Sequence, residues 1–294
     1  MEKIIFKSKT HGLCNRLRAL VGFQAFAKIV NSPFFILWEK DRACDADISE
    51  LFNENFKRIS RKELDKSQNK NSAGMFNSIE WFDKVWEKNL KETVSWEDFR
   101  KVALECLDSL TPLPHIQNKI EHFFTEYSVE NIYGLHIRMT DNLDAYKKWD
   151  GKVVDFNISD VSQLAGFEKF IKDRLLDEPA SRFFLATDNS DIEKEFSEKF
   201  PGKILVFKKN YQEDKKKTFS LSQLKFVSKN QRTTSIEDAL IDILILSKCK
   251  EIAGTYFSSF SKFSAVWGRV PYYEVRGEKY FKTDFVKKMT GINF

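Results

Sequence analysis

The sequence predicts an α/β protein built from parallel β-sheets, and two features of its 294 residues carry that prediction. Short apolar runs alternate with longer segments in which apolar residues recur at helical spacing, which is the order of strands and helices in βαβ units. Hydrophobic residues make up 42% of the chain, whereas Gly (11) and Pro (6) are scarce. A sizeable core is therefore available, and intrinsic disorder and collagen-like repeats are excluded.

The first half begins with a strand–helix–strand unit. Residues 3–6 form a short apolar run, residues 10–16 a polar loop, and residues 17–30 a helix with apolar positions on one side. Asn31-Ser32-Pro33 ends that helix, and residues 34–38 are the second predicted strand. The polar stretch that follows predicts a surface loop over residues 62–72, and two helices are expected at residues 96–110 and 115–127.

The second half alternates strands and helices more regularly and predicts a second parallel sheet. Its expected strands are residues 131–138, 182–187, 204–207 and 251–254, and its expected helices are residues 161–176, 191–200, 235–247 and a segment ending near residue 267. A further helix at residues 283–289 is expected to pack on the first domain. We place the boundary between the two domains near Ser128, which gives domains at residues 1–128 and 129–294.

The charge balance and the cysteines exclude several classes of protein. Lys and Arg exceed Asp and Glu by five, which permits an anionic ligand but is too balanced for a nucleic-acid-binding protein. No apolar run is long enough for a signal peptide or a membrane span. The four cysteines are far apart and form no Cys-x-x-Cys pair, so we expect no metal site, reduced thiols and a cytoplasmic location.

Candidate functional residues follow the predicted strands, because ligands of open α/β sheets bind beyond the carboxyl ends of the strands. Hydrogen-bond donors, a few arginines and isolated acids dominate this set, which suits a phosphate-containing ligand with a polar base or sugar. The set comprises His11, Gly12, Asn15, Arg16 and Arg18 after the first strand; His136, Arg138, Thr140, Asp141, Asn142 and Asp144; Thr187, Asp188 and Asn189; and Gly254, Thr255, Ser258 and Ser259.

Each of these residues also has a simpler interpretation. Ser258 and Ser259 open a helix whose N-terminus favours an anion, but either hydroxyl can serve only as a helix cap. The Arg138 guanidinium can bind two phosphate oxygens or form a surface salt bridge. His136 lies two residues before Arg138 and therefore on the same side of the strand, as a ligand contact or as a structural histidine.

The acidic candidates leave two readings open as well. Asp141 or Asp144 can act as a general base toward a hydroxyl, or solvate a loop. Asp242 lies in an apolar helix, where it can accept two N–H groups from a guanine edge or face water. The lysine-rich run from Lys208 to Lys217 is interpreted as a solvated loop, with an electrostatic lip over the ligand site as the alternative. No dinucleotide fingerprint, P-loop or Gly-x-Ser-x-Gly motif is present in the sequence.

Four segments, taken in order, resemble the fucosyltransferase superfamily, which comprises nodulation-type and core α1,6-fucosyltransferases and protein O-fucosyltransferases. Gly12-Leu-Cys-Asn-Arg-Leu17 resembles its Gly-x-x-Asn-Arg opening, and Gly134-Leu-His-Ile-Arg-Met-Thr-Asp141 resembles its His-x-Arg-Arg peptide. Leu185-Ala-Thr-Asp188 resembles its Ala-Thr-Asp strand end. The last segment, residues 235–259, runs from an apolar helix containing Asp242 into Gly-Thr-Tyr-Phe-Ser-Ser.

This resemblance implies a GT-B architecture with two Rossmann-like domains, an acceptor-side domain and a donor-binding domain, and the donor cleft between them. It implies an inverting transfer of fucose from GDP-fucose to a hydroxyl of an oligosaccharide or polysaccharide, without a metal. It also implies residue roles. Arg138 would hold the β-phosphate, and Ser258 and Ser259 would hold phosphates at the start of the helix. His136 and Asp242 would contact the nucleoside, and Asp188 would support the cleft or the base. The remaining members of the donor-binding motifs are Gly12, Asn15, Arg16 and Thr255.

Two departures from the family pattern keep alternatives open. The second arginine of the His-x-Arg-Arg peptide is Met139 here, and the glutamate of core-type enzymes is Tyr146. Asp141 or Asp144 is then the candidate base. The alternatives are a GT-B transferase that uses another nucleotide sugar, and a catalytically inactive relative that binds nucleotides or glycans.

Overall fold

The computed structural model describes residues 3–8, 11–41, 43–53, 55–67, 75–76, 80–127, 132–138, 162–209, 211, 234–256 and 258–294. These residues form two compact units. The first comprises Met1–Lys119 and Lys287–Asn293, and the second comprises Ile120–Val286 with Phe294. The boundary predicted between residues 128 and 129 lies outside the described residues.

The first unit contains a three-stranded parallel sheet and the helices that cover it. The strands are β1 (Ile4–Lys7), β2 (Phe34–Leu37) and β3 (Met75–Phe76), in the order β2-β1-β3. The helices are α1 (Leu13–Ile29), α2 (Arg61–Ser67), α3 (Phe82–Asn89), α4 (Trp96–Asp108) and α5 (Pro114–Glu126), the last of which continues into the second unit.

Helix α1 is the centre of this unit. It is buried on nearly all sides, and its Gly22 allows close packing, because a Cβ there would lie 3.1 Å from Phe82 and 3.0 Å from Val85 of α3. The helix begins at Leu13, so the loop predicted up to Arg16 was wrong by one turn. The first turn contains the polar residues Asn15 and Arg16, and this polarity predicted a loop.

The second unit contains a six-stranded sheet with the order β6-β5-β4-β7-β8-β9. Its strands are β4 (Ile132–Ile137), β5 (Arg182–Thr187), β6 (Ile204–Leu205), β7 (Ile252–Thr255), β8 (Tyr272–Arg276) and β9 (Lys279–Lys282). All neighbouring pairs are parallel except β8 and β9, which form an antiparallel hairpin that turns through Gly277 at φ 57°.

Four helices among the described residues pack on this sheet. They are α6 (Ser162–Asp177), α7 (Ser190–Lys199), α8 (Ile236–Leu246) and α9 (Ser259–Gly268). A further helix, α10 (Phe285–Thr290), follows β9. Ser235 caps α8 by accepting the N–H of Asp238, as its sequence predicts. From Lys287 onward α10 belongs to the first unit, where Lys288 Nζ lies 2.6 Å from Asp83 Oδ2.

All four cysteines, Cys14, Cys44, Cys106 and Cys249, are free and buried. Burial raises the pKa of the Cys249 thiol well above its usual range, so that sulfur stays protonated at neutral pH. Within the described ranges, no helix has the length and apolar content needed to cross a bilayer.

Candidate functional site

The sheet of the second unit has a topological switch point between β4 and β7. From β4 the sheet continues through β5 and β6 on one side, and through β7 and β8 on the other. The connections that leave the two central strands therefore diverge, and the crevice they open is the usual ligand position in open α/β sheets. Arg138 directly follows β4, and Ser258 and Ser259 follow β7 at the start of α9.

Thr255 joins the two strand ends at this point. Its Oγ1 accepts the backbone N–H of Arg138 at 3.1 Å and donates to the carbonyl oxygen of His136 at 3.3 Å. The side chain is only 4% exposed. Thr255 therefore fixes the backbone from which the half-buried Arg138 side chain leaves the sheet.

His136 is a neutral member of the site. Its side chain is buried, its Nδ1 lies 3.3 Å from Ser258 Oγ, and its ring stacks on Phe260 with 4.5 Å between ring centroids. Burial lowers the pKa of His136 to about 3, and the cations of Arg138 and Lys209 act in the same direction. The imidazole is therefore uncharged at pH 7 and offers hydrogen bonds rather than positive charge.

The N-terminus of α9 lies beside the end of β7. Ser258 is the helix cap, and its Oγ accepts the N–H of Phe260 at 3.3 Å. Its own N–H donates to the carbonyl oxygen of Thr255 at 3.0 Å, which ties the start of the helix to the switch point. The helix dipole and the first N–H groups favour an anion at this position, and Arg138 adds a full positive charge.

Gly254 allows α9 to lie this close to the sheet. It pairs with His136 on β4, and a Cβ at Gly254 would lie 2.1 Å from Ser261 Oγ and 3.0 Å from the Tyr272 hydroxyl. Ser261 and Tyr272 are themselves buried and hydrogen-bonded to each other at 3.1 Å. A side chain at residue 254 would push the first turns of α9 away from the strand.

We therefore expect Gly254→Ala to destabilise the protein by about 1–3 kcal/mol, the usual cost of overpacking a buried site. Chemical denaturation of the variant and the parent chain measures this loss. Gly12→Ala is the control for replacing a glycine without overpacking, because the nearest atom to a Cβ there is 3.9 Å away and its φ is −65°. Gly12 caps α1, so we expect only the smaller loss of about 0.5–1 kcal/mol that alanine costs at a helix cap. Equal stability of Gly254→Ala and the parent would show that α9 does not pack as described.

Asp242 on α8 is buried and paired with Lys209. Its Oδ2 lies 2.7 Å from Lys209 Nζ, which also donates to the carbonyl oxygen of Thr187 at 3.2 Å and lies 3.8 Å from Glu193 Oε1. Burial raises the pKa of Asp242 to about 6, because the nearby Lys209 cation only partly offsets the cost of desolvation. Asp242 is therefore mostly ionised above neutral pH.

The interpretation of the lysine-rich run as a solvated loop was wrong at Lys209, whose side chain is fully buried. Of the two readings left open for Asp242, exposure to water does not hold, because the residue is 5% exposed. Lys209 was missed as a site residue, and so were its neighbours Glu193 and Tyr211. Lys209 follows the short strand β6, so the rule that singled out polar residues at strand ends applied to it as well.

The other described site residues predicted in this unit lie at the ends of β5 and β7. Asp188 follows β5 and is half-buried, and its charge helps to raise the pKa of the Tyr211 phenol. Asn189 caps α7 through Asp191 and Ile192. Ser259 is the first residue of α9. Asp141 and Asp144 lie outside the described residues.

In the first unit, Gly12, Asn15 and Arg16 lie at the start of α1. Gly12 is the helix cap, and Asn15 Oδ1 is a buried acceptor that finds no hydrogen-bond partner within the described part of the chain. Arg16 is 1% exposed, and its guanidinium binds Asp41 and the carbonyl oxygens of His11 and Glu39. Arg16 thus links the start of α1 to the segments that follow β1 and β2. The donor contact inferred for Gly12, Asn15 and Arg16 stays a prediction.

Across the parts of the chain that the structure describes, no group of three or more His, Cys, Asp or Glu side chains is arranged to hold a metal ion. The positive charges at the switch point come from Arg138, Lys209 and the helix dipole of α9. These groups support electrostatic binding of an anion.

Neither a protein-family profile nor a curated protein matches the sequence. Solved structures do match. The NodZ α-1,6-fucosyltransferase co-crystallised with GDP has a TM-score of 0.58 at 14% identity, with 96% of this chain and 98% of that chain covered. POFUT1 in complex with GDP has a TM-score of 0.52 at 12% identity, with 91% and 94% covered.

A plant protein shows the same likeness. Arabidopsis thaliana FUT1, in complex with GDP, has a TM-score of 0.51 at 11% identity, with 93% of this chain and 70% of that chain covered. At such identities the likeness establishes the fold, and it agrees with the four segments by which the sequence resembles these enzymes. The predicted α/β architecture of GT-B type is confirmed: the chain has the fold of the fucosyltransferases NodZ, FUT1 and POFUT1.

Proposed function

We propose that the protein is a glycosyltransferase that transfers fucose from GDP-fucose, with inversion, to a hydroxyl of an oligosaccharide or polysaccharide. The observation that carries this proposal is the convergence of Arg138, Ser258 and the N-terminus of α9 at the switch point between β4 and β7. This arrangement suits a diphosphate. The fold is shared with NodZ and POFUT1, structures of which contain GDP or GDP-fucose.

In the proposed reaction, the acceptor oxygen attacks the anomeric carbon of fucose on the face opposite to GDP. The bond from that carbon to the β-phosphate oxygen breaks, and negative charge grows on the leaving diphosphate. Arg138 and the N–H groups at the start of α9 offset this charge, which lowers the barrier. The backbone of Arg138 is already fixed through Thr255, so little reorganisation is needed when the charge develops.

The nucleoside is assigned to the neighbouring strand ends. His136 is neutral and buried, so it can form hydrogen bonds with the nucleoside without adding a charge to the site. Asp242 is a largely buried acceptor that suits the ring N–H of guanine. Asp188, which follows β5, is proposed to support this pocket.

The proton of the acceptor hydroxyl needs a base. Asp141 and Asp144 follow Arg138 closely in the sequence and are the proposed candidates. A reaction of this kind needs no metal if Arg138 and the helix dipole carry the charge of the leaving group. We therefore propose that transfer continues in EDTA.

A donor screen tests the proposed function. The chain is incubated in EDTA with GDP-fucose, GDP-mannose, UDP-glucose or UDP-N-acetylglucosamine, each with a library of oligosaccharides, and released nucleotide and product mass are measured. We expect GDP-fucose to be consumed and a deoxyhexose to be added with inverted anomeric configuration, as read by NMR. Consumption of a different nucleotide sugar would contradict the assignment of the donor, and retention of configuration would contradict the mechanism.

A further inference from the structure

One carboxylate oxygen of Asp242 accepts a hydrogen bond from a described residue, and the other does not. Oδ2 accepts a hydrogen bond from Lys209 Nζ at 2.7 Å, whereas Oδ1 is buried and has no hydrogen-bond partner among the residues that the structure describes. Asp242 is 5% exposed, so water does not readily satisfy Oδ1. A buried acceptor left without a donor costs free energy, and such groups in native proteins need an explanation. The unpaired Oδ1 therefore indicates a ligand that donates an N–H group.

Contacts with residues other than Asp242 also fix the position of the Lys209 ammonium group. This group donates to the carbonyl oxygen of Thr187, at the end of β5, and lies 3.8 Å from Glu193 Oε1 on α7. The hydroxyl of Tyr211 donates to the same oxygen of Glu193. These contacts, together with complete burial of the Lys209 side chain, keep its charge beside Asp242.

We propose that Lys209 is a positioning residue, which holds Oδ2 of Asp242 and leaves Oδ1 as an ionised acceptor for the ring N–H of the bound base. The inference rests on the proposed function, because it takes guanine as that base. It adds a residue that sequence reasoning had placed in solvent, and it assigns that residue an effect through Asp242 rather than through contact with the ligand.

The charges around Asp242 explain why it needs Lys209. Glu193 on α7 and Asp238 on α8 both disfavour the ionised form of Asp242, and Lys209 favours it. His136, with its pKa of about 3, and Tyr211, whose pKa is raised by burial and by Glu193, are uncharged at pH 7. Without Lys209, a buried carboxylate would face two others, and Asp242 would take up a proton at neutral pH.

The test is calorimetric titration of GDP into the full chain and its Lys209→Met variant between pH 5 and pH 8.5. In the parent chain, affinity is expected to fall below about pH 6, where Asp242 is protonated. In Lys209→Met we expect GDP to bind at least about 10-fold more weakly at pH 7, which corresponds to about 1.4 kcal/mol. Part of that loss should be recovered at pH 8.5, because deprotonation of Asp242 restores the acceptor.

Two matched variants separate this role from a structural one. Lys208→Met changes the exposed neighbouring lysine and should bind GDP as the parent does. Asp242→Asn cannot ionise, so its weak binding should not change with pH. If Lys209→Met does not fold, the double variant Lys209→Met/Asp242→Asn removes both charges, and it should bind GDP as weakly as Asp242→Asn alone.

Several results would overturn the inference. One is unchanged binding of GDP by Lys209→Met. Another is a loss that does not vary with pH in a folded variant, since Lys209 would then act on the ligand directly. If the double variant bound GDP more weakly than Asp242→Asn alone, Lys209 would likewise act on the ligand directly. By contrast, a parent chain that binds UDP as well as GDP would contradict the proposed function itself.

Discussion

Arg138→Ala is expected to lower kcat/KM for fucosyl transfer by roughly 100- to 1,000-fold, the usual effect of removing one preorganised donor from a site of developing charge. The backbone of Arg138 is held by Thr255 beside the N-terminus of α9, so the guanidinium leaves the sheet at the point proposed for the leaving diphosphate. Steady-state kinetics with GDP-fucose measure the effect.

Arg138→Lys is the matched variant for this prediction. It keeps the positive charge but loses the planar fork that binds two phosphate oxygens at once. Its activity should lie between those of the parent and Arg138→Ala. If Arg138→Ala retained more than about a tenth of the parent activity, the role of Arg138 in stabilising the leaving group would be wrong.

Arg16→Leu is expected to destabilise the protein by about 3–5 kcal/mol, the usual cost of removing one partner of a buried ion pair. The guanidinium of Arg16 bridges the ends of β1 and β2, with Nη2 2.6 Å from Asp41 Oδ2 and Nη1 2.6 Å from the carbonyl oxygen of Glu39. Its Nη1 also donates to Ser8 Oγ at 3.1 Å. The substitution would remove the ion pair with Asp41 and the donor that serves the oxygens of Ser8 and Glu39.

Urea denaturation of Arg16→Leu measures this loss. Arg61→Leu is the control, because Arg61 is largely exposed in its ion pair with Glu39 and should contribute less than about 1 kcal/mol. Equal stabilities of the two variants would contradict the structural role of Arg16. In that case, the resemblance-based role of Arg16 as a donor contact would account better for the residue.

The parts of the site that the sequence predicted well are the ends of buried strands. Residues 182–187 were predicted as a strand and form β5 over the same range. A short apolar run that stops at a polar residue marks both the strand and its carboxyl end, and parallel pairing brings such ends to one edge of a sheet. His136, Arg138, Thr255 and Ser258 were found in this way, and the structure brings them together.

The parts that were missed depend on contacts that a linear pattern does not carry. Lys209 is buried because Asp242, Thr187 and Glu193 surround it, and these residues come from three separate segments. The first turn of α1 contains Asn15 and Arg16, and its polarity predicted a loop, whereas the partners of Arg16 lie up to 25 residues further along the chain. The β8–β9 hairpin was also missed, because its second strand is exposed and has no apolar run.

The most direct test of the central claim is calorimetric titration of GDP, GDP-fucose and UDP into the purified chain in EDTA, repeated with Arg138→Ala. We expect GDP and GDP-fucose to bind with micromolar affinity, UDP to bind at least about 10-fold more weakly, and Arg138→Ala to lose most of the GDP affinity. Equal binding of GDP and UDP, or unchanged binding of GDP by Arg138→Ala, would contradict the assignment of a GDP-sugar site to the switch point between β4 and β7.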